Sequence, residues 1–551
     1  MSKWHKGAAL AAFALAAFAL ASGAQAATYY VAPGGDDSHA GTLAAPWQSI
    51  ARAQTAAAPG DTIYFRGGDY VYTGTIASCA SQTDVVNAVT LDKSGAQDQP
   101  IRYWAYPGET PVFDFTPIKE SCRVKGFNVT ASYLHLKGLE LKGAPQQPGN
   151  LLNNESWGIW VKGSYNTFEA LNTHHHMGPG FFLSNGSYNL VLNVDSHHNY
   201  DPYSKSGAGQ NADGFGAHIK AGNPGNVFRG CRAWANTDDG FDLINAYSPV
   251  LIENSWAWQH GYLPGTFTSL AAGNGNGFKV GGYSGVYQPN APVHTVRLSV
   301  AFKNKANGFY ANHHPVANLY YNNTSIANGV GFNFLGIDPS NAAISLGVAR
   351  NNLAYENTPI ASAGGADIAN NSWSLPISVT AADFQSVSTT GWDAPRQPDG
   401  SLPLLPYLHL AAGSDLIDKG VNLGLPYSGA APDLGAFEGS AKVSLLTDVT
   451  ASVKIVQSGL TLDRATQKSK GTVSFTNTSK AIISGNLLFR ADYLTDGVAL
   501  DNQSGVQGGS PTLALPVSAL APGQSASVTT IFTNPNRASV GYLPKLIAGT
   551  P

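Results

Sequence analysis

Apolar and polar positions in the middle of the chain follow a repeat longer than a helix turn or a strand. A glycine, an apolar residue, a variable residue and often another apolar or small residue recur together seven times. The copies are Gly158-Ile-Trp-Val, Gly180-Phe-Phe-Leu, Gly214-Phe-Gly-Ala, Gly240-Phe-Asp-Leu, Gly277-Phe-Lys-Val, Gly308-Phe-Tyr-Ala and Gly331-Phe-Asn-Phe, at intervals of 22, 34, 26, 37, 31 and 23 residues. The shortest interval approximates one coil of a parallel β-helix, and the longer ones add a loop to a coil. Self-similarity of this kind marks a solenoid, in which each coil buries its neighbour. Propeller blades need about 40 to 45 residues, more than these uneven intervals supply. Asn-rich turns such as Asn166-Thr-Phe and Asn226-Val-Phe recur between the glycines. Asn tolerates turn conformations and stacks in ladders from coil to coil.

Flanking patterns complete the architecture. Trp47 to Ala58 has helical spacing and stops at Pro59-Gly60, and the alternating strand Asp61 to Arg66 follows. A helix there covers the first coil, which has no preceding neighbour. Residues 403–438, with Gly413-Ser-Asp-Leu-Ile-Asp-Lys-Gly420 and Ala431-Pro-Asp-Leu-Gly-Ala-Phe-Glu438, resemble a segment that closes such a solenoid. Beyond Gly439 the pattern shortens to alternating strands such as Gly471 to Phe475 and Ser525 to Phe532, split by turns such as Ala521-Pro-Gly523. These read as a β-sandwich. The expected fold is therefore all-β: a right-handed parallel β-helix over 27–440 with a C-terminal β-sandwich module over 445–551. All ten tryptophans precede residue 393, so the sandwich lacks indole platforms for sugars and reads as a spacer or attachment module.

The N-terminus adds a compartment. Lys3 and Lys6 precede the apolar run Ala8 to Ala21, too short to span a bilayer, and Ala24-Gln25-Ala26 is an A-x-A cleavage signature. Residues 1–26 are thus expected to be a signal peptide, and the protein to be secreted, extracellular or periplasmic, without a membrane span. Losing Lys3 and Lys6 takes the net charge from -3 to -5, the wrong sign for a nucleic-acid binder. A monomer is expected. Export permits disulfides, so Cys79 and Cys122 are candidates to pair, with Cys231 as a core thiol. No CxxC spacing suggests thiolate-bound zinc.

The repeat also sets a register. Side chains alternate along a strand, and equivalent positions on adjacent coils stack about 4.8 Å apart. With Phe after six of the seven glycines facing inward, the outward column reads Trp160, Phe182, Gly216, Asp242, Lys279, Tyr310, Asn333. The column before the glycines reads Trp157, Pro179, Asp213, Asp239, Asn276, Asn307, Val330. Asp213, Asp238, Asp239 and Asp242 then converge, and four carboxylates repel unless their pKa values rise or a cation joins them. Clustered hard oxygens suit Ca2+ better than Mg2+, which prefers water-rich octahedral sites. Lys279 becomes a neighbour of Asp242. It can form a salt bridge there or, when a nearby cation offsets the carboxylates, act as a base.

The two features fit one reaction, abstraction of the proton beside a uronate carboxylate followed by elimination of the 4-linked sugar. Asn211-Ala-Asp-Gly-Phe215, Ala233-Trp-Ala-Asn-Thr-Asp-Asp-Gly-Phe-Asp242 and Gly275-Asn-Gly-Phe-Lys-Val280 together resemble the family 9 polysaccharide lyases, the pectate lyases. The resemblance extends over about residues 28–440. It implies a Ca2+ cofactor on Asp213, Asp238, Asp239 and Asp242, Lys279 as catalytic base, and an acidic polysaccharide, polygalacturonate, as substrate. His218, Lys220 and Tyr310 are candidates for substrate contacts, with Trp258, His260, His313 and His314 as further possibilities. Two other readings stand beside this one. An inverting hydrolase could use the Asp cluster, although the Gly-His-Gly element of polygalacturonases is absent and Lys279 would have no role. A cell-surface polysaccharide-binding protein would need no catalyst at all. His174-His-His176 and His197-His198 resemble a metal site at first sight, but adjacent strand residues face opposite sides, which argues for ordinary structural roles.

Overall fold

The computed structural model describes residues 26–73, 84–119, 122–148, 155–397, 399–439, 446–492, 494–495, 497–507, 510–535 and 540–549. Apart from Ala26, the expected signal peptide lies outside the described residues. So does Cys79; Cys231 is a buried free thiol.

Three parallel sheets of 11, 10 and 10 strands wind into a β-helix. The repeat glycines lie at or near the starts of strands in one 10-stranded sheet. They are required by close approach rather than by backbone angle. A methyl group at Gly240 would lie 2.5 Å from the carbonyl oxygen of Gly277 and 2.6 Å from His260 Nε2. The following aromatics form a buried stack. Phe215, Phe241, Phe278, Phe309 and Phe332 are spaced at 4.8, 4.9, 4.9 and 4.7 Å between successive ring centroids. Each buried ring contributes about 1.5–3 kcal/mol by leaving water, and stacking adds to it.

Buried polar ladders satisfy the turns between sheets. Backbone N–H groups of Asn166 and Asn189 donate to the side-chain oxygens of Asn189 and Asn226. A second ladder runs through His176, Asn199, Asn236, His260, Asn304 and Asn328, with two imidazoles in places otherwise held by amides.

The helix Ile50–Ala56 is capped by Ser49, whose side chain accepts from Arg52 N–H, and its Ile50 and Ala53 are buried. The segment expected to close the solenoid domain runs along its flank. Trp392, Tyr407, Leu410 and Leu416 bury the outer face of the third sheet against Trp234, Trp256, Trp258 and Phe302. Trp373 covers the last phenylalanine of the stack, 4.9 Å from Phe332. Two five-stranded antiparallel sheets make the C-terminal sandwich. Its longest strands, Lys468–Asn477 and Ser525–Thr533, pair with each other and alternate buried with exposed positions around Val473, Phe475 and Phe532.

Candidate active site

Asp242 and Lys279 occupy the two-residue strands Phe241–Asp242 and Phe278–Lys279, whose register places them side by side. The column continues from Trp160 through Phe182 and Gly216 to Asp242, then through Lys279 and Tyr310 to Asn333. Lys279 Nζ lies 3.0 Å from Asp242 Oδ2 and 3.2 Å from Asp239 Oδ2.

Backbone geometry aims the carboxylates. Asp213 Oδ1 accepts from Asp239 N–H at 3.1 Å. Asp239 Oδ1 accepts from the backbone and side-chain N–H of Asn276, both at 2.8 Å. Asp242 Oδ1 accepts from Ile244 N–H at 2.7 Å, and Asp238 Oδ1 accepts from Asn274 N–H at 2.6 Å. Asp213, Asp239 and Asp242 each offer an oxygen within 4.8 Å of the others, and Asp238 lines the same cleft, of about 340 Å³.

All five ionisable side chains are buried. Burial, then repulsion from Asp242 and Asp239, raises Asp213 well above the usual carboxylate range. Burial, then Asp239 and Asp213, does the same to Asp238. Burial also raises Asp239, against the pull of Lys279. For Lys279 burial acts downward, but Asp242, Asp239, Asp238 and Asp213 together hold its pKa well above the ordinary value. Four carboxylates against one ammonium leave a buried excess of negative charge. Asp239 Oδ2, fully buried, has the Lys279 ammonium 3.2 Å away and, among the described residues, accepts no hydrogen bond. Calcium–oxygen bonds of about 2.3–2.6 Å place opposed ligands roughly 5 Å apart, which matches the spread of the triad. The donor set fits a hard divalent cation.

The β-helix that carries this cleft is also what the chain shares with known proteins. The family described as Pel9A-like, right-handed beta helix region matches residues 29–352. The chain belongs to the Pel9A-like pectate lyase family. Pectate lyase L of Dickeya dadantii (strain 3937) is 39% identical over 414 residues, covering 74% of this chain and 90% of that one. The crystal structure of pectate lyase Pel9A superposes with a TM-score of 0.64 at 37% identity, covering 75% of this chain and 96% of that one. A rhamnogalacturonan lyase superposes with a TM-score of 0.66 at 34% identity, covering 71% and 97%. The chain is thus a polysaccharide lyase on a right-handed β-helix, which displaces the hydrolase and non-catalytic readings.

Within this Pel9A-like chain the other candidate residues separate. His218 lines the cleft, packs edge-on against Phe182, and has a buried Nε2 without a hydrogen-bond partner among the described residues. Burial lowers its pKa, against the pull of Asp242. Tyr310 is half-buried beside Lys279, its hydroxyl 3.3 Å from His313 Nδ1. Lys220 is exposed and does not line the cleft. Trp258 is buried between Trp234 and Phe302, and His260 and His314 bond backbone N–H groups inside the coil. Sequence reasoning did not single out Glu155, Trp157, Phe182 and Asn274, which also line the cleft. Trp157 and Phe182 already stood in the two columns; their exposure to the cleft was the missing signal. Lys125, held at about 8 by burial and then by Lys162 and Arg123, packs 4.0 Å over the Trp160 ring on the same face. A larger groove of about 1130 Å³ lies elsewhere, lined by β-helix residues together with Asp492, Leu494 and Thr495. Its Arg232 and Arg396 are already paired with Asp195.

Proposed function

We propose that this chain cleaves polygalacturonate by calcium-dependent β-elimination, with Lys279 as the base. The observation that carries the reading is the position of Lys279 Nζ, within 3.2 Å of two members of a buried four-aspartate cluster. Asp213, Asp238, Asp239 and Asp242 would hold the ion. Bound calcium would offset their charge and draw electron density from the substrate carboxylate, acidifying the neighbouring C–H. Lys279, relieved of four unneutralised carboxylates, then presents a lone pair and accepts the C5 proton of the uronate. The C4–O bond breaks, the released chain end takes a proton from solvent, and an unsaturated uronate remains. Trp157, Phe182 and His218 flank the cleft and exclude water from the reacting carbon. Asn276 and the N–H of Ile244 keep Asp239 and Asp242 from rotating away.

Residues 1–26 are proposed to direct export, 27–440 to form the catalytic domain, and 445–551 to serve as a spacer or attachment module on a monomer. Among the described residues no helix is long and apolar enough to cross a membrane. The deciding experiment incubates the protein with polygalacturonate and, in parallel, rhamnogalacturonan, with and without a chelator. Ultraviolet absorbance and product length are followed. Absorbing products that disappear on chelation support the proposal; chain shortening that persists under chelation without absorbance defeats it. Turnover of rhamnogalacturonan alone would keep the mechanism and change the substrate.

A further inference from the structure

One buried cation lies on the sheet of the cleft without an anion. Lys125 belongs to the strand Arg123–Val129, two coils ahead of the strand that carries Phe182. Gly126-Phe127-Asn128-Val129 repeats the glycine pattern there once more, one coil before Gly158. The register sets Lys125 against Trp157 and Asn128 against Trp160. Lys125 therefore heads the column that continues through Trp157 and Pro179 to Asp213 and Asp239. Three strand spacings of about 4.8 Å, roughly 14 Å in all, separate its coil from that of Asp213.

Lys125 is 9% exposed, and among the described residues its ammonium meets no carboxylate, carbonyl or hydroxyl oxygen. Its Nζ sits 4.0 Å from the Trp160 ring centroid and 5.7 Å from that of Trp157. The charges beside it do not neutralise it. Arg123 packs 4.0 Å over Trp157 and is paired with Glu155, and Lys162 is an exposed cation. Glu155, the carboxylate at this end of the cleft, makes no ion pair with Lys125. Cation–π attraction returns only part of what an ammonium loses on leaving water. Buried charges are ordinarily paired, so the missing partner points outside the chain. Between this lysine and the aspartates lies an aromatic floor. Trp160 and Phe182 stack at 4.6 Å, Trp157 meets Trp160 edge-on at 4.5 Å, and Trp157 and Phe182 line the cleft itself.

We propose that Lys125, beside the floor of Trp157, Trp160 and Phe182, is a substrate-binding residue that takes the carboxylate of a uronate several sugars away from the bond being cleaved. The inference rests on the polygalacturonate reading above and deepens it. Aromatic rings accept the apolar faces of sugars, and an ammonium with three donors forms charge-assisted hydrogen bonds to a carboxylate. The arriving anion also removes the cost of the unpaired charge. The contact therefore favours long, unesterified uronate chains over short ones and over those whose carboxyls are methyl esters. Such a chain crosses the strands along the β-helix axis, with its reacting sugar at Lys279 and a distant sugar at Lys125.

The test is titration of the Ca2+-loaded Lys279→Ala protein with polygalacturonate, alone and combined with Lys125→Met or Lys125→Arg. Methionine keeps an apolar stem over Trp160 and removes the charge; arginine keeps the charge. Lys125→Met should weaken binding by about tenfold or more, and Lys125→Arg should restore most of it. In the active protein Lys125→Met should raise KM for polygalacturonate by a similar factor with much less change in kcat. That rise should fade for oligogalacturonates too short to reach from Lys279 to Lys125. The melting temperature of Lys125→Met should be no lower than that of wild type, since an unpaired buried charge is removed. Undiminished affinity in Lys125→Met, an equal loss in Lys125→Arg, an equal rise in KM for the shortest oligomers, or a lowered melting temperature of Lys125→Met would overturn this assignment and leave the lyase reading intact. Polygalacturonate that is neither bound nor turned over would overturn both.

Discussion

The carboxylate cleft and a square of histidines on the third sheet, His174, His175, His197 and His198, are built by the same device on different faces. In both, a coil-to-coil register stacks like residues from neighbouring strands. The outcomes differ because of burial and charge. The cleft encloses four aspartates and one lysine, all buried, and concentrates negative charge away from water. The square is half-exposed, and burial followed by mutual repulsion keeps His197 well below the ordinary imidazole range and His198 at about 4. At neutral pH one stack demands a cation and the other merely offers lone pairs. A stacked fold can thus hold charge that needs a partner next to neutral groups that can do without one.

Removing the lysine should separate the two most sharply. Lys279→Ala is expected to lower turnover of polygalacturonate by about 100- to 10,000-fold while leaving polymer binding measurable. Turnover within a factor of a few of wild type would dismiss Lys279 as base.

Removing calcium should come next. A ligand at 100 times its dissociation constant stabilises a fold by about 2.7 kcal/mol, so chelation should lower the melting temperature and Asp239→Asn should reduce that response. The chelated protein also has a predictable pH dependence. Asp213 and Asp238 have raised folded pKa values, so they destabilise the fold above those values and cease to do so as they are protonated. Chelated protein should therefore gain stability as pH falls from the alkaline range towards about 5, until the ordinary carboxylate pKa of about 4 is approached. Glu169 works the other way: burial opposes ionisation, but His135 and Lys137 hold it at about 2, and its contribution fades only below about pH 4. Scanning fluorimetry across pH, with and without calcium, reads both; a chelated protein most stable at alkaline pH contradicts the charge reading of the cleft.

Catalysis itself should rise towards alkaline pH, because carboxylates favour the ammonium form of Lys279 and only the neutral form accepts a proton. A rate profile that is highest at acidic pH and indifferent to calcium would break the link between base and cluster. The smallest effect belongs to the square. His198→Asn should leave polygalacturonate turnover within about twofold and stability within about 0.5–1 kcal/mol, as for partly exposed positions outside a core. A large loss of turnover there would mean that the two stacks communicate.

The sequence alone determined the coil repeat, the inward phenylalanine stack and the adjacency of Asp242 with Lys279. The reason is that strand alternation and coil spacing are strict: once one column is placed, the others follow. It also showed that the alternating strands after Gly439 build a sandwich. Other features depended on backbone turns and on which surface packs against which. Trp157 and Phe182 could be placed in columns but not in a cleft, because loops decide what stays open. Residues 403–438 read as the closing segment of the solenoid domain, but that they lie along the tryptophan-rich outer face of the third sheet is visible only in the packing. His260 looked like a cleft residue, yet it replaces an asparagine in an interior ladder. Most plainly, the rule that neighbours on a strand face opposite ways holds only while the strand continues. At His175 and His198 the chain turns left-handed, and only the tertiary structure decides that, because a one-residue change of φ is invisible to periodicity while it reverses where the side chain points.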